Sequence, residues 1–262
     1  MDQPYVRVDS VSKVFDTFSG DRIAALENVS FDVRPGEFIP ILGPSGCGKS
    51  TLLRIIAGLL KPTEGMVSVG GGPVQGPIKG IGFVFQRAVL FDWYKVLANI
   101  LAPVELAGLR KRDYVDKAYE LIRLVKLEGF EDKYPKELSG GMQQRVSIAR
   151  ALILDPEILF MDEPFGALDA QTRALMQELL TQIWEELHKT ILFVTHDVEE
   201  AIFLSDRVFM MTARPGKIKA EIDIPLERPR SYEIKATEPF LSLKKQALAL
   251  IREEAIKATQ YK

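Results

Sequence analysis

The chain has 262 residues, 47% of them apolar and 27% charged, enough to bury a core in one domain with a large insertion or in two smaller ones. Its 34 Lys and Arg against 36 Asp and Glu leave a net charge of −2, which gives no global attraction to nucleic acid. No apolar run approaches the ~20 residues that span a bilayer, and Met1-Asp2-Gln3-Pro4 lacks a basic flank before an apolar run, so a cytoplasmic location is expected, with membrane contact only through a protein partner.

Tyr5 to Val11 and Val29 to Val33 alternate apolar and polar residues around turn signals, which predicts antiparallel strands with one wet face. Pro35-Gly36 turns the chain into the apolar run Phe38 to Leu42, a buried strand. There follows Gly43-Pro44-Ser45-Gly46-Cys47-Gly48-Lys49-Ser50-Thr51, and then the helical run Leu52 to Ile56. Glycines at 43, 46 and 48 permit the close approach and positive φ that let successive backbone N–H groups face a polyphosphate, with a helix N-terminus behind them. Lys49 would reach the outer phosphates, Ser50 would offer a hydroxyl to the magnesium ion that phosphates bring with them, and Thr51 opens the helix. Cys47, the single cysteine, cannot form an internal disulfide and is read as a small side chain contributing its backbone N–H.

Lys61 to Gly65 stops this helix, Met66 to Val69 is extended, and Gly70, Gly71 and Gly72 make a loop before the strand Ile81 to Phe85. From Leu97 to Leu127 the period is helical, with Tyr119, Ile122 and Val125 three apart. Ser139 is a good N-cap for the run from Val146, and Gly140 and Gly141 leave backbone N–H groups open to an anion at a second helix start. Ile158 to Met161 and Ile191 to Val194 read as short buried parallel strands. Asp162 and Glu163 should emerge at the C-terminal end of the first, where open α/β sheets bind ligands. An Asp there can hold magnesium and a Glu can orient and deprotonate water; alone, the pair also fits a solvated acidic turn. The tail from Pro225 ends in a helix over Leu241 to Ile256 whose apolar face is expected to dock on the core.

The octet Leu138-Ser139-Gly140-Gly141-Met142-Gln143-Gln144-Arg145 resembles the signature of ATP-binding-cassette ATPases. In that family's order the chain also has Gln86 after Val84-Phe85, Asp162-Glu163, Ala167-Leu168-Asp169 and His196 after Phe193-Val194-Thr195. The resemblance implies an α/β P-loop NTPase core, its mainly parallel sheet accompanied by an antiparallel part, with an inserted helical subdomain. The expected division is 1–86 with 156–225 for the core, 87–155 for the helical subdomain and 226–262 for the tail. It further implies ATP and Mg2+ as ligands, with Gln86 joining Ser50 and Asp162 at the metal. Glu163 would be the general base and His196 a contact to the γ-phosphate; Phe15 would lie against adenine, with Phe18 as a rival. Each ATP would be clamped in a homodimer between one subunit's phosphate loop and Ser139, Gly140, Gly141 and Gln143 of its twin.

Phe91, Asp92, Trp93 and Tyr94 are either a small satellite core or, as in importers of this family, the lining of a groove for a permease helix. Asp92 stands where the family usually has proline. Ala213-Arg214-Pro215-Gly216-Lys217-Ile218, with Thr195 to Ala201, is similar to the nitrate, sulfonate and taurine branch of uptake systems. The expectation is therefore an importer's ATPase subunit, peripheral on the cytoplasmic face of the inner membrane, with integral permease subunits and, indirectly, a solute-binding protein as partners and no nucleic acid. The alternative is a soluble cassette ATPase acting on nucleic acid or ribosomes.

Overall fold

The computed structural model describes residues 3–17 and 20–260. Two compact units divide the chain: residues 1–79 with 190–262, and residues 80–189.

In the first unit, β1 (Val6–Asp16) and β2 (Arg22–Val33) pair antiparallel from Val6↔Val33 to Asp16↔Arg22. Val6, Val8, Val29 and Phe31 are buried while Arg7, Asp9, Ser30 and Asp32 face water, the alternation of a half-buried sheet. The strands run past the Val11 and Val29 limits expected from sequence. Register shifts after Val8 and Val11, with Ser10 at φ 53° and Asn28 at φ 49°, break the alternation that marked their course. β3 (Phe38–Leu42) is wholly buried and leads into α1 (Lys49–Ile56), which buries Leu52, Leu53, Ile55 and Ile56. β4 (Glu64–Val69) pairs with β1 and β5 (Gly72–Pro73) with β4, giving the order β2-β1-β4-β5. Gly65, at φ +83°, permits that pairing, since a Cβ there would fall 2.4 Å from the Ser10 carbonyl oxygen.

The second unit opens with β6 (Ile81–Val84), followed by α2 (Val96–Leu106), α3 (Val115–Leu124) and α4 (Gly140–Leu152). The predicted helical stretch is thus two helices joined through a 3-10 turn at Lys111–Tyr114. β7 (Ile158–Asp162) pairs parallel with β6 from Ile81↔Ile158 to Val84↔Met161, and α5 (Ala170–Leu187) follows. Strands β6 and β7 share a unit with these helices because α4 lies against β6: a Cβ on Gly82 would sit 2.8 Å from the Ala151 carbonyl oxygen.

The chain returns to the first unit as β8 (Thr190–Thr195), parallel to β3 from Phe38↔Ile191 to Leu42↔Thr195. After α6 (Val198–Leu204), β9 (Arg207–Met211) pairs parallel with β3 at Ile41 and Leu42, and β10 (Ile218–Asp223) closes antiparallel on β9. The unit's strands therefore run β10-β9-β3-β8. α7 (Glu238–Gln260) is the expected tail helix, and Phe240, Ala247 and Glu254, seven residues apart, are its buried stripe. The fold is α/β, mainly parallel with an antiparallel part, as the sequence implied. Among the described residues, no helix is long and apolar enough to cross a membrane.

Candidate nucleotide site

Residues 43–48 connect the end of β3 to α1, the strand–loop–helix order that the glycine spacing predicted. Gly46 has φ 77° and Gly48 φ 105°. A Cβ on Gly48 would fall 2.8 Å from the Ala25 carbonyl oxygen, so the turn into α1 admits only glycine without displacement. No side chain caps α1 and no acidic residue lies in its first turn, so no negative charge of that turn would oppose an anion at the helix start. Lys49 is only 4% exposed, and its Nζ donates to the carbonyls of Gly43 (2.8 Å) and Pro44 (3.1 Å), which aims the ammonium into the loop. Ser45 and Gly46 are exposed, Pro44, Ser50 and Thr51 are half-buried, and Cys47 is buried. A polyphosphate can thus meet, along one short wall, a buried ammonium, a helix start and a row of amides.

His196 is exposed just past β8, and Asp197, the N-cap of α6, accepts from the N–H groups of Glu199 (2.8 Å) and Glu200 (3.1 Å). Phe15 lies on β1 opposite Ile23, 39% exposed, with the Lys13 ammonium 5.1 Å from its ring centre. Its rival Phe18 lies outside the described residues.

In the second unit, the Val84↔Met161 register brings the ends of β6 and β7 together. Asp162 is buried and Glu163 half-buried at the close of β7, and Gln86 is exposed two residues past β6. A Cβ on Gly166 would lie 3.3 Å from Nε2 of Gln86 and 3.7 Å from Oε2 of Glu163, so both side chains border one bare glycine. Glu163 itself has φ 46°, a left-handed conformation that glutamate adopts only when its surroundings impose it.

Ser139 caps α4, its Oγ accepting from Met142 N–H at 3.3 Å. Ser139 and Gly140 are exposed, whereas Gly141 is buried, and a Cβ on it would come within 2.5 Å of the Thr172 methyl. Nε2 of Gln143 donates to the carbonyls of Pro135 (2.9 Å) and Leu138 (3.3 Å), bracing the loop before the cap. A cleft of about 710 Å³ is lined by Gln86, Gly140, Gln143 and Leu168, so these motif residues share one concavity.

The family model described as "ABC transporter" matches residues 26–166, more than half of the chain. The chain belongs to the ABC transporter family. It is 49% identical over 244 residues to an aliphatic sulfonates import ATP-binding protein of Bacillus cereus, covering 93% of this chain and 94% of that one. It is 42% identical over 248 residues to a taurine import ATP-binding protein of a Jannaschia species, covering 93% of this chain and 92% of the relative. An ATP-binding cassette solved as a dimer in a post-hydrolysis state with ADP and Pi superposes at a TM-score of 0.74 with 34% identity, over 85% of this chain and 100% of that one. This ABC cassette is an ATP-binding subunit and an ATPase.

Some supporting residues of the ABC cassette went unmarked in the sequence. Buried Asn99 accepts from Phe91 N–H (2.8 Å) and donates to the carbonyls of Phe91 (3.1 Å) and Tyr94 (2.8 Å), shaping the aromatic loop. That loop combines the two readings left open: Phe91 and Tyr94 are half-buried, while Trp93 is 70% exposed, 5.3 Å from Phe91 between ring centres. From α4, Gln144 donates to the Phe85 carbonyl (3.1 Å) and Arg150 to those of Ala88 and Val89 (2.9 Å each), so the signature helix holds the backbone on both sides of Gln86. Burial pushes the Arg150 guanidinium down from its ordinary value. Such contacts end on backbone N–H and C=O groups, which carry no residue identity, so no residue pattern announces them.

Proposed function

We propose that this chain is the ATP-hydrolysing subunit of an importer of organic sulfonates or taurine-like solutes, acting as a homodimer on separate integral-membrane permease subunits. The observation that carries the reading is the presence of two glycine-bearing helix starts in one chain, one with the buried Lys49 and one, at Ser139, without a lysine. Two copies related by a two-fold axis would each complete the other's site, with Ser139, Gly140, Gly141 and Gln143 facing the partner's phosphate loop. The dimeric cassette structure and the import names of the relatives support this assignment. We place the subunit peripherally on the cytoplasmic face of the membrane, with Trp93 and its aromatic neighbours as the permease contact and a solute-binding protein upstream. Residues 87–155 are its helical subdomain. A soluble role on nucleic acid or ribosomes finds no support in a chain of net charge −2 whose relatives carry import names.

Gly43 to Thr51 would bind the phosphates through backbone N–H groups, with Lys49 neutralising the outer ones. Phe15 would offer its exposed face to adenine. Ser50, Gln86 and Asp162 are hard oxygen donors, which suits Mg2+. Among the described residues no three His, Cys, Asp or Glu side chains cluster as a cage; the ion would arrive with its phosphates and keep part of its water. Bound Mg2+ would supply charge neutralisation on the transferring phosphoryl group. Glu163 would accept the proton of the attacking water, and His196 would hold the γ-phosphate in place.

The test is affinity purification of the tagged chain from detergent-solubilised membranes of its host. Recovery of a permease with ATPase activity that rises with a sulfonate-charged binding protein is expected; recovery with ribosomes or nucleic acid instead would overturn the importer reading. Lys49→Ala should abolish ATP binding, and parental binding and cleavage by that variant would remove the phosphate-loop assignment.

A further inference from the structure

The Arg214-Pro215-Gly216 turn, which the ATPase mechanism leaves unused, touches the phosphate loop. Arg214 is exposed, and its Nε and Nη2 donate to the Gly46 carbonyl at 3.3 and 3.2 Å. Because a trans peptide points its C=O and N–H in opposite directions, drawing the Gly46 oxygen outward aims the Cys47 N–H inward. That N–H meets the Pro44 carbonyl at 3.4 Å, the same oxygen that accepts from Lys49 Nζ at 3.1 Å. The guanidinium therefore fixes, from outside, a peptide whose inner edge shares the loop interior with the lysine.

The turn that carries Arg214 is itself held firmly. Thr212 Oγ1 donates to the Pro215 carbonyl and accepts from Lys217 N–H, both at 2.9 Å. Gly216 N–H donates to the Ala25 carbonyl (2.9 Å), its own carbonyl accepts from Glu27 N–H (3.0 Å), and a Cβ on Gly216 would come 2.2 Å from the Cys47 carbonyl oxygen. The turn thus presses on the loop at Cys47 and grips it at Gly46. A second tie comes from α7, where Glu254, 2% exposed, accepts from the Ala213 N–H at 3.0 Å and from Lys219 Nζ at 2.8 Å. Lys219 also bonds Glu253 (2.6 Å) and the Leu250 carbonyl (3.2 Å). A carboxylate is buried at this depth only when such partners compensate it.

We propose that Arg214 is a positioning residue of the nucleotide site and that Glu254 of the C-terminal helix latches it in place; this rests on the reading of residues 43–51 as the ATP site. The tail helix then belongs to the nucleotide-binding machinery, since its loosening would release the outer edge of the phosphate loop. ATP itself need not touch either residue.

The experiment measures ATP binding by calorimetry, together with KM, kcat and the nucleotide-free thermal midpoint, on the full chain and on the Arg214→Ala, Arg214→Lys, Glu254→Gln and Lys49→Ala variants. Arg214→Ala should weaken ATP binding and raise KM about five- to tenfold, the scale of one ordinary solvent-exposed hydrogen bond, with kcat and the thermal midpoint close to parental. Lysine, a point donor without the fork, should restore part of the affinity, and Glu254→Gln should reproduce part of the loss. Parental affinity in Arg214→Ala alongside lost binding in Lys49→Ala would overturn the proposal and leave the ATP site standing. A lowered thermal midpoint with unchanged KM would reduce Arg214 to a structural role and overturn it too. An Arg214 effect without a Glu254 effect would overturn the latch. Parental binding in both Arg214→Ala and Lys49→Ala would remove the site reading and this inference with it.

Discussion

Thr195, the last residue of β8, stands in register with Leu42, the last residue of β3. His196 and Gly43 consequently leave neighbouring parallel strands side by side, at the sheet edge where α/β folds place ligands. Thr195 Oγ1 also donates to Glu200 at 2.7 Å and accepts from Asp197 N–H at 2.9 Å, which anchors the turn bearing the imidazole. His196→Ala is expected to slow ATP hydrolysis on the order of 10²-fold, the effect of losing one preorganised donor, while ATP affinity stays near parental. Phosphate release under saturating ATP measures this, and undiminished turnover would take His196 out of the site.

Glu163 sits at φ 46°, and the Gly166 N–H closes on its carbonyl at 3.1 Å. The short loop therefore fixes the backbone from which its side chain departs, as the proposed role of a base addressing one water would require. Glu163→Gln retains shape and backbone but cannot take a proton. It should cost on the order of 10²–10⁴ in turnover while ATP binds as before, in steady-state hydrolysis set beside calorimetric titration.

What could be seen in the sequence was what the chain encodes locally. Glycines at 46 and 48, followed by Lys49, name a positive-φ loop before a helix, and Ser139 names a cap three residues from the N–H it accepts. Wholly buried β3 and β8 announce themselves as short apolar runs. Beyond Val11, the course of β1 was hidden because its register shifts scramble the period of two. The grip of Arg214 on Gly46 and of Glu254 on Ala213 was equally hidden, since a carbonyl 168 residues away and an amide 41 residues away carry no residue identity. Gln143 was read as a nucleotide contact, and its amide here braces the Pro135 and Leu138 carbonyls, a use that only three-dimensional proximity discloses.

Steric need separates the glycines experimentally. Gly48 combines φ +105° with a would-be Cβ 2.8 Å from both the Ala25 carbonyl oxygen and Leu26 Cδ2. At Gly140, where φ is unexceptional, the nearest contact would be Leu168 Cδ2 at 3.7 Å. Gly48→Ala should destabilise the fold by more than about 1 kcal/mol and weaken ATP binding. Gly140→Ala should unfold as the parent does, while impairing hydrolysis. Urea titration and ATPase assays on both variants decide this, and equal stability of the two would contradict the backbone geometry at Gly48.

Asp169 caps α5, its Oδ1 accepting from Gln171 N–H at 3.1 Å and Thr172 N–H at 3.0 Å. Hydrogen bonds from Thr172, side chain first and then backbone, together with the bond from Gln171, hold its carboxyl below the usual carboxylate range. In the unfolded chain the group returns to about 4, so on acidification the unfolded state takes up its proton first. The stabilisation is therefore whole above about pH 4 and drains away as pH falls toward the lower folded value. Asp132, held down by Lys95, and Glu137, held down by the Tyr134 N–H, act in the same direction. The thermal midpoint should change little between about pH 7 and 5 and then decline. Asp169→Asn, which can cap the helix without titrating, should keep the neutral midpoint and flatten the acid decline. A variant whose acid decline matches the parent's would show that Asp169 does not contribute to it.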